Sequence, residues 1–315
     1  MPSIELVQGV QTPNVKWWQT ENSYGSNSYL VSKGRTLYII DSGLGSLHRA
    51  QLLTAIAGYE DANKVYLLNT HWHLDHCGNG MIMEELGRRF PHVHYLVPEI
   101  AKQYMKNFTE SSPVAVEVDM GLAQAEWLRD GDKEEFHLGD DLFQGWKVEG
   151  AYLLATPGHT PDSLSIYFKG EKAIFTGDVL WYVNPNVDEG SIDLSLQSAA
   201  KLKRLMKAEG VGYLGIGHSP PIEGNERIID YISDYEEKEK ALVSRLEAVV
   251  AASDRVSVDH CLEMLRQSNH PAIKEALRIN YPYFPSYLHR FIRVFLREKG
   301  WHEVEKGIWS AKQPS

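Results

Sequence analysis

The sequence predicts an α+β chain: short strands and helices over residues 1–225, then an all-helical or winged-helix region over 226–315. Three observations carry this. Apolar runs of four or five residues recur between Gly-, Pro- and Asp-containing turns. Histidine and aspartate gather where those runs end. From Glu226 the apolar residues change to spacings of three, four and seven.

Ser28–Ser32 and Thr36–Ile40, joined by Lys33-Gly34-Arg35, read as a hairpin that ends in the turn Asp41-Ser42-Gly43-Leu44-Gly45. A helix follows from Ser46 to about Gly58, with Leu47, Leu52, Leu53 and Ile56 on its apolar face. Val65-Tyr66-Leu67-Leu68 is a buried strand. Met81–Phe90 reads as helix and Val93–Val97 as strand. Residues 99–131 read as a mostly helical insertion (Ile100, Tyr104, Met105, Phe108, Met120, Leu122, Trp127, Leu128), broken at Thr109–Pro113 and suited equally to walling or capping a substrate pocket and to plain extra packing. Strands resume from Phe136, with Trp146–Gly150, Tyr152–Ala155 and the hairpin Ser163–Phe168/Lys172–Phe175. An amphipathic helix over Ser195–Gly210 precedes the strand Gly212–Ile216.

From Glu226, Ile228, Ile232, Tyr235, Leu242, Leu246 and Val249 keep a helical spacing, and further helices fit Val258–Gln267, Pro271–Ile279 and Ser286–Lys299, the last with Ser286 as N-cap. A terminal hairpin turning at Lys306-Gly307 makes a winged-helix module plausible on pattern. Arg290, Arg293 and Arg297 form a basic stripe on the last helix, fit for an RNA backbone or a coenzyme phosphate, or simply a solvated face. The nearby aromatics read mostly as core, and Tyr281-Pro282-Tyr283-Phe284-Pro285 is compact enough to line a pocket.

Hydrophobic content of 43% and charged content of 23% fit a globular protein with a full core. No apolar run approaches the roughly 20 residues of a membrane span, and Met1–Glu5 lacks the features of a signal peptide. Cys77 and Cys261, far apart, fit a reducing cytoplasm, and Cys77 reads as a small buried neighbour of the histidine cluster. The net charge of −10 lies wholly in residues 1–225, since 226–315 carry 14 basic and 14 acidic side chains. This acidic balance makes nucleic acid the less favoured partner and a small molecule the expected one.

Thr70-His71-Trp72-His73-Leu74-Asp75-His76 places three imidazoles and a carboxylate within six residues at a strand end. Neutral imidazole and carboxylate are the ligands that zinc and similar borderline cations take, so the stretch reads as a metal site. His71 and His73 would project together if the strand continued past Thr70, with Asp75 and His76 in the following turn. His159, Asp178 and His218 sit in comparable turns after apolar runs. Each alone would pass for a hydrogen-bonded loop residue; together with the cluster they suggest one centre.

These residues resemble the metallo-β-lactamase superfamily: Thr-His-x-His-x-Asp-His at 70–76, Thr-Pro-Gly-His-Thr at 156–160, Phe-Thr-Gly-Asp at 175–178, Gly-His at 217–218 and the early Asp41-Ser42-Gly43. The resemblance covers roughly residues 20–225 and implies an αββα sandwich with two divalent metal ions at one sheet edge. Residue by residue, it implies His71, His73 and His159 on the first ion, Asp75, His76 and His218 on the second, and Asp178 bridging. Such paired ions lie about 3.5–4 Å apart and share an activated hydroxide. Asp75 would orient that nucleophile or carry a proton, and Asp41 would brace a ligand imidazole. Zinc is the expected metal, though these ligands also accept iron or manganese.

Departures from the family narrow the reading. An aspartate at 178 argues against antibiotic hydrolysis, and His73, where flavodiiron relatives have glutamate, argues against a diiron oxygen site. The layout is similar to glyoxalase II and related thioesterases, so the expected reaction is hydrolysis of a small thioester, ester or lactone. A ribonuclease using the C-terminal region is the alternative, and a mononuclear iron persulfide dioxygenase stands behind it.

Overall fold

The computed structural model describes residues 15–19, 25–105, 120–185, 187–278 and 284–311. The first sheet runs in chain order: β1 (Val15–Gln19), β2 (Asn27–Lys33), β3 (Thr36–Ile40), β4 (Lys64–Leu68), β5 (His92–Pro98) and β6 (Ala125–Leu128). β1 to β3 pair antiparallel and β3 to β6 parallel. The second sheet contains β7 (Glu134–Leu138), β8 (Asp141–Val148), β9 (Ala151–Ala155), β10 (Leu164–Phe168), β11 (Ala173–Phe175), β12 (Tyr213–Gly215) and β13 (Ile222–Glu223). Its order is β13-β12-β11-β10-β9-β8-β7, parallel only between β11 and β12.

Strand alternation builds the layers. Tyr38 and Ile40 of β3 point inward, where Tyr66, Leu68, Leu153, Ile166, Phe168 and Phe175 complete a core between the sheets. Leu37 and Ile39 point outward onto Leu52 and Ile56 of α1 (Ser46–Ile56) and onto Ile82, Met83 and Leu86 of α3 (Ile82–Arg89). The second sheet packs its outer face on Leu202, Leu205 and Met206 of α4 (Ile192–Glu209) and on Ile228, Ile232 and Tyr235 of α5 (Asn225–Val250). This is the four-layered αββα sandwich. α4 starts at the N-cap Ser191, whose side chain accepts from Leu194 N–H, and stops at Gly210 in the left-handed region.

α5 has 26 residues, about 39 Å at 1.5 Å per residue. Its first half serves the sandwich, while Leu242, Leu246 and Val249 enter a separate core. That core joins α6 (Val258–Arg266), α7 (Pro271–Ala276), α8 (Phe284–Glu298) and the small sheet β14 (Arg255–Ser257), β16 (Ile308–Ser310), β15 (His302–Glu305). Helix, strand, helices and hairpin follow one another as in a winged helix. Val183 and Ile192 belong to the same core. Among the described residues, no helix is long and apolar enough to cross a membrane.

Four expectations are corrected. Within the 99–131 stretch, residues 106–119 lie outside the described residues, and the described part beyond them is strand and tight turn where helix is expected. After a turn at Glu99–Ala101 and helical positions 102–105, the chain returns as β6, whose Ala125–Leu128 extend the parallel sheet along β5. Phe108 and Thr109–Pro113 lie outside the described residues. Ser286 is not an N-cap, because α8 already begins at Phe284. Leu47 is 55% exposed and off the apolar face of α1. Trp146 lies within the longer β8, since Gly139-Asp140 alone makes the tight turn from β7. Tyr281-Pro282-Tyr283 also lie outside the described residues.

Candidate metal centre

β4 ends at Leu68, so the condition for His71 and His73 to project together as strand residues is not met. Instead the chain leaves the sheet and makes one helical turn, α2 (Leu74–Cys77), which turns Asp75 and His76 back toward the strand end. Asp41 fixes this path. At the end of β3 it takes φ 60°, a conformation aspartate tolerates better than most residues. Its Oδ1 accepts from Thr70 N–H at 2.7 Å, and its Oδ2 from Thr70 Oγ1 at 2.8 Å and His76 Nδ1 at 2.7 Å. Asp41 therefore sets the tautomer of His76 and leaves Nε2 facing inward.

All seven predicted residues converge in two groups. One ligand atom from each of His71, His73, His159 and Asp178 lies within 4.8 Å of the others; the same holds for Asp75, His76 and His218. In the first group, His73 Nδ1 stands 2.9 Å from His71 Nε2 and 3.0 Å from His159 Nε2. Two nitrogens about 2.1 Å from a shared tetrahedral ion would be roughly 3.4 Å apart, close to this spacing. In the second, His218 Nε2 lies 3.1 Å from Asp75 Oδ2. Asp178 faces both groups. Its Oδ2 is 3.6 Å from His159 Nε2 and 3.2 Å from His218 Nε2, and its Oδ1 is 3.4 Å from His76 Nε2.

Electrostatics separates the halves. Burial, aided by the other imidazoles, keeps His71 well below its ordinary pKa and His73 at about 3, and burial lowers His159 as well. These are neutral rings with lone pairs turned inward. Burial also opposes charge on His76 and His218, but Asp178, assisted by Asp75 and, for His76, by Asp41, outweighs it. His76 stands well above the ordinary range and His218 at about 9. Burial would raise Asp178, yet His218 and His76 hold it well below the carboxylate range. The second half therefore demands positive charge. His76 Nε2 and Asp178 Oδ1 are buried without a hydrogen-bond partner. An unbonded imidazole nitrogen and carboxylate oxygen turned toward one another in this carboxylate-rich cluster fit a divalent cation, which would take the place of the proton on His76 Nε2.

The supports are spread along the chain. Asn184 Oδ1 pairs with His159 Nδ1 at 2.9 Å, and Asn184 Nδ2 donates to the Asp178 and Val179 carbonyls. Asn27 Nδ2 donates to Ile216 O at 2.7 Å and Ser219 O at 2.6 Å, holding the turn that presents His218. Gly217 admits no side chain, since a Cβ there would sit 1.9 Å from Asp178 Oδ1. Cys77 is fully buried with its thiol on Trp72 O, in keeping with a small buried neighbour of the cluster. Sequence reasoning missed Asn27, Asn184 and Trp181. Trp181 packs on His218 with ring centroids 4.4 Å apart, and its place three residues after Asp178 was the one available signal.

The centre opens into a cleft of about 480 Å³ whose walls include Trp72, Trp181, Tyr287 and Arg290. Among the described residues of 99–131 none lines it; Tyr104 stacks on the wall residue Trp72 at 5.5 Å. The arginine stripe does not run free as a backbone track. Arg293 forms a forked pair with Asp188 at 3.0–3.2 Å, and Arg297 donates to Gly190 O at 3.1 Å.

The model of the metallo-beta-lactamase superfamily matches residues 23–218. An atrochrysone carboxyl ACP thioesterase from Aspergillus fumigatus is 29% identical over 224 residues, covering 70% of this chain and 58% of that protein. A beta-lactamase-like protein 2 homolog from Caenorhabditis elegans is 26% identical over 226 residues, covering 70% of this chain and 65% of that protein. The chain thus spans less than two thirds of either relative's length. A solved metallo-beta-lactamase family protein from Thermus thermophilus superposes with a TM-score of 0.56 at 18% identity, over 96% of this chain and 99% of that one. At that identity the likeness speaks to the fold.

Proposed function

The chain belongs to the metallo-β-lactamase superfamily of hydrolases, and from that premise we propose that it is a dinuclear metal hydrolase acting on a small thioester. The observation that carries the reading is the position of Asp178, whose Oδ2 stands between His159 of one ligand group and His218 of the other while Oδ1 faces His76. His71, His73 and His159 would hold one divalent ion and Asp75, His76 and His218 the other, with Asp178 between them. Zinc suits this donor set best, with iron or manganese also accommodated. When bound, such a pair polarises the scissile oxygen and supplies an activated water at neutral pH.

The protein's own groups do the rest. Asp75, a quarter exposed at the cleft, has Oδ2 3.1 Å from His218 Nε2. His76 and His218 hold its carboxyl at about 2 against the effect of burial, so it stays ionised and would orient the attacking water and relay its proton. A proton accepted there passes to the leaving group. Among the described residues, no serine, threonine or cysteine lines the cleft, which supports water over a side-chain nucleophile. A thiol with pKa near 8.5 leaves readily, so a thioester asks less of general acid catalysis than an amide. The thioesterase name of one relative supports the same substrate class, with esters and lactones next. RNA is the weaker alternative, because Arg293 and Arg297 are engaged by the 188–190 loop.

Thiol release from acyl thioesters, with zinc-loaded protein and Asp178→Ala beside it, tests the reading. Turnover that falls at least about 10²-fold in the variant is expected. Silence across the panel in protein carrying two metal ions per chain would overturn it.

A further inference from the structure

We propose that the aromatic cavity behind His218 is the acyl subsite, built for an aromatic acyl group of one or two fused rings. The inference rests on the thioester hydrolase reading and specifies its substrate. A cavity of about 320 Å³ adjoins the metal cleft and shares Trp181, His218 and Tyr287 with it. At roughly 30 Å³ per non-hydrogen atom, the share of one water in the liquid, it has room for about ten such atoms.

Five rings wall the cavity: Trp181, Tyr182, Tyr231, Tyr235 and Tyr287. Three of their hydroxyls are committed elsewhere. Tyr182 OH donates to Ala276 O at 2.9 Å, Tyr231 OH to Leu180 O at 2.7 Å, and Tyr235 OH pairs with Ser195 Oγ at 2.9 Å. The ring bodies of these three are therefore left as lining, and this part of the wall is mainly hydrocarbon despite its tyrosines, with Ser219, Asp234 and Lys238 as its polar members. Trp181 meets Tyr287 nearly edge-on, with centroids 6.1 Å apart and planes at 78°. Rings set at steep angles receive a flat guest by stacking and edge contact together. Tyr182 holds a left-handed backbone, φ 56°, which bulky side chains rarely adopt, and its hydroxyl ties that conformation to α7. Lys238 and Asp234 line the same cavity and neutralise each other at 2.6 Å.

The test uses the zinc-loaded full chain with acetyl, decanoyl and 2-naphthoyl thioesters of one small thiol, and calorimetric titration with 2-naphthoate. Ala276→Phe fills the cavity. Because Ala276 is buried, Tyr287→Ala, at a partly exposed position, is the second variant. The expected result is a naphthoyl preference over decanoyl in kcat/KM, and a naphthoyl-to-acetyl ratio that drops roughly tenfold or more in both variants at unchanged metal content. Turnover whose acyl selectivity ignores both variants overturns the subsite and leaves the hydrolase reading standing. A decanoyl preference overturns the aromatic class. If no thioester is cleaved but naphthoate binds, and binds weaker in Tyr287→Ala, the subsite stands and the reaction falls.

Discussion

The backbone N–H of Asn184 donates to the buried carboxyl of Glu239 at 2.6 Å, while the side-chain oxygen of the same asparagine meets His159 Nδ1 at 2.9 Å. One residue thus joins the long helix α5 to a metal-site imidazole. Glu239 is 1% exposed, and burial holds its carboxyl well above the ordinary range despite the Asn184 hydrogen bond.

The folded chain therefore keeps a proton on Glu239 that the unfolded chain releases above about pH 4.3. More protons bound in the folded state mean that stability falls as pH rises through the window from that value to the raised folded pKa. Glu239→Gln keeps an acceptor for Asn184 N–H and removes the titration. In metal-free protein its melting temperature should gain on the parent between pH 5 and pH 8, by roughly 2–4 °C for each kcal/mol recovered. Thermal unfolding at the two pH values checks this; parallel curves would refute it.

Asn184→Ala leaves His159 Nδ1 without its acceptor and the Asp178 carbonyl without its donor. Loss of such an outer partner typically weakens metal binding about 10–100-fold. Competition with a chelator, read as zinc retained per chain, should show that loss, with the secondary structure content unchanged.

Gly217→Ala sets a methyl 1.9 Å from Asp178 Oδ1 and 2.9 Å from His76 Cε1. The clash falls on the residue facing both ligand groups. Metal content should drop below that of Asn184→Ala, and elemental analysis of the purified variants decides the order.

Arg293 and Asp188 are substantially exposed, so their pair contributes about 1 kcal/mol or less to stability. The segment it restrains carries Val187, Asp188 and Glu189 along the metal cleft. Arg293→Ala should leave the melting temperature within about 3 °C and raise KM more than it lowers kcat. Steady-state kinetics on a thioester substrate separates the two parameters. The triple replacement of Arg290, Arg293 and Arg297 by alanine also tests the RNA alternative, which predicts loss of RNA cleavage.

The candidate ligands are legible because the chain writes them locally. Four fall between His71 and His76, and the rest follow apolar runs that read as strands. The two buried sheets are legible for the same reason, from Tyr38 and Ile40 alternating with Leu37 and Ile39. What sequence hides depends on distant partners. Asn27 meets Ser219 across 192 positions, and Glu239 meets Asn184 across 55, neither with a periodic signal. β6 reads as helix because Ala125-Glu126-Trp127 alternates over only three residues before Leu128 breaks the pattern; parallel pairing with β5 decides their state. The stripe on α8 is visible as a stripe, but the acid that engages Arg293 lies 105 residues away.

The side chains of the metal centre hang from strand ends, whereas the walls of the adjoining aromatic cavity come largely from Tyr231 and Tyr235 of α5, Ala276 of α7 and Tyr287 of α8. On the acyl-subsite proposal, substitutions at Tyr231, Tyr235 and Ala276, which line the cavity and not the metal cleft, would resculpt what the protein accepts without altering the candidate ligands. The two properties can evolve at different rates within one chain. Asn184 is where that independence ends, because Glu239 of α5 accepts from its N–H while its side chain meets His159.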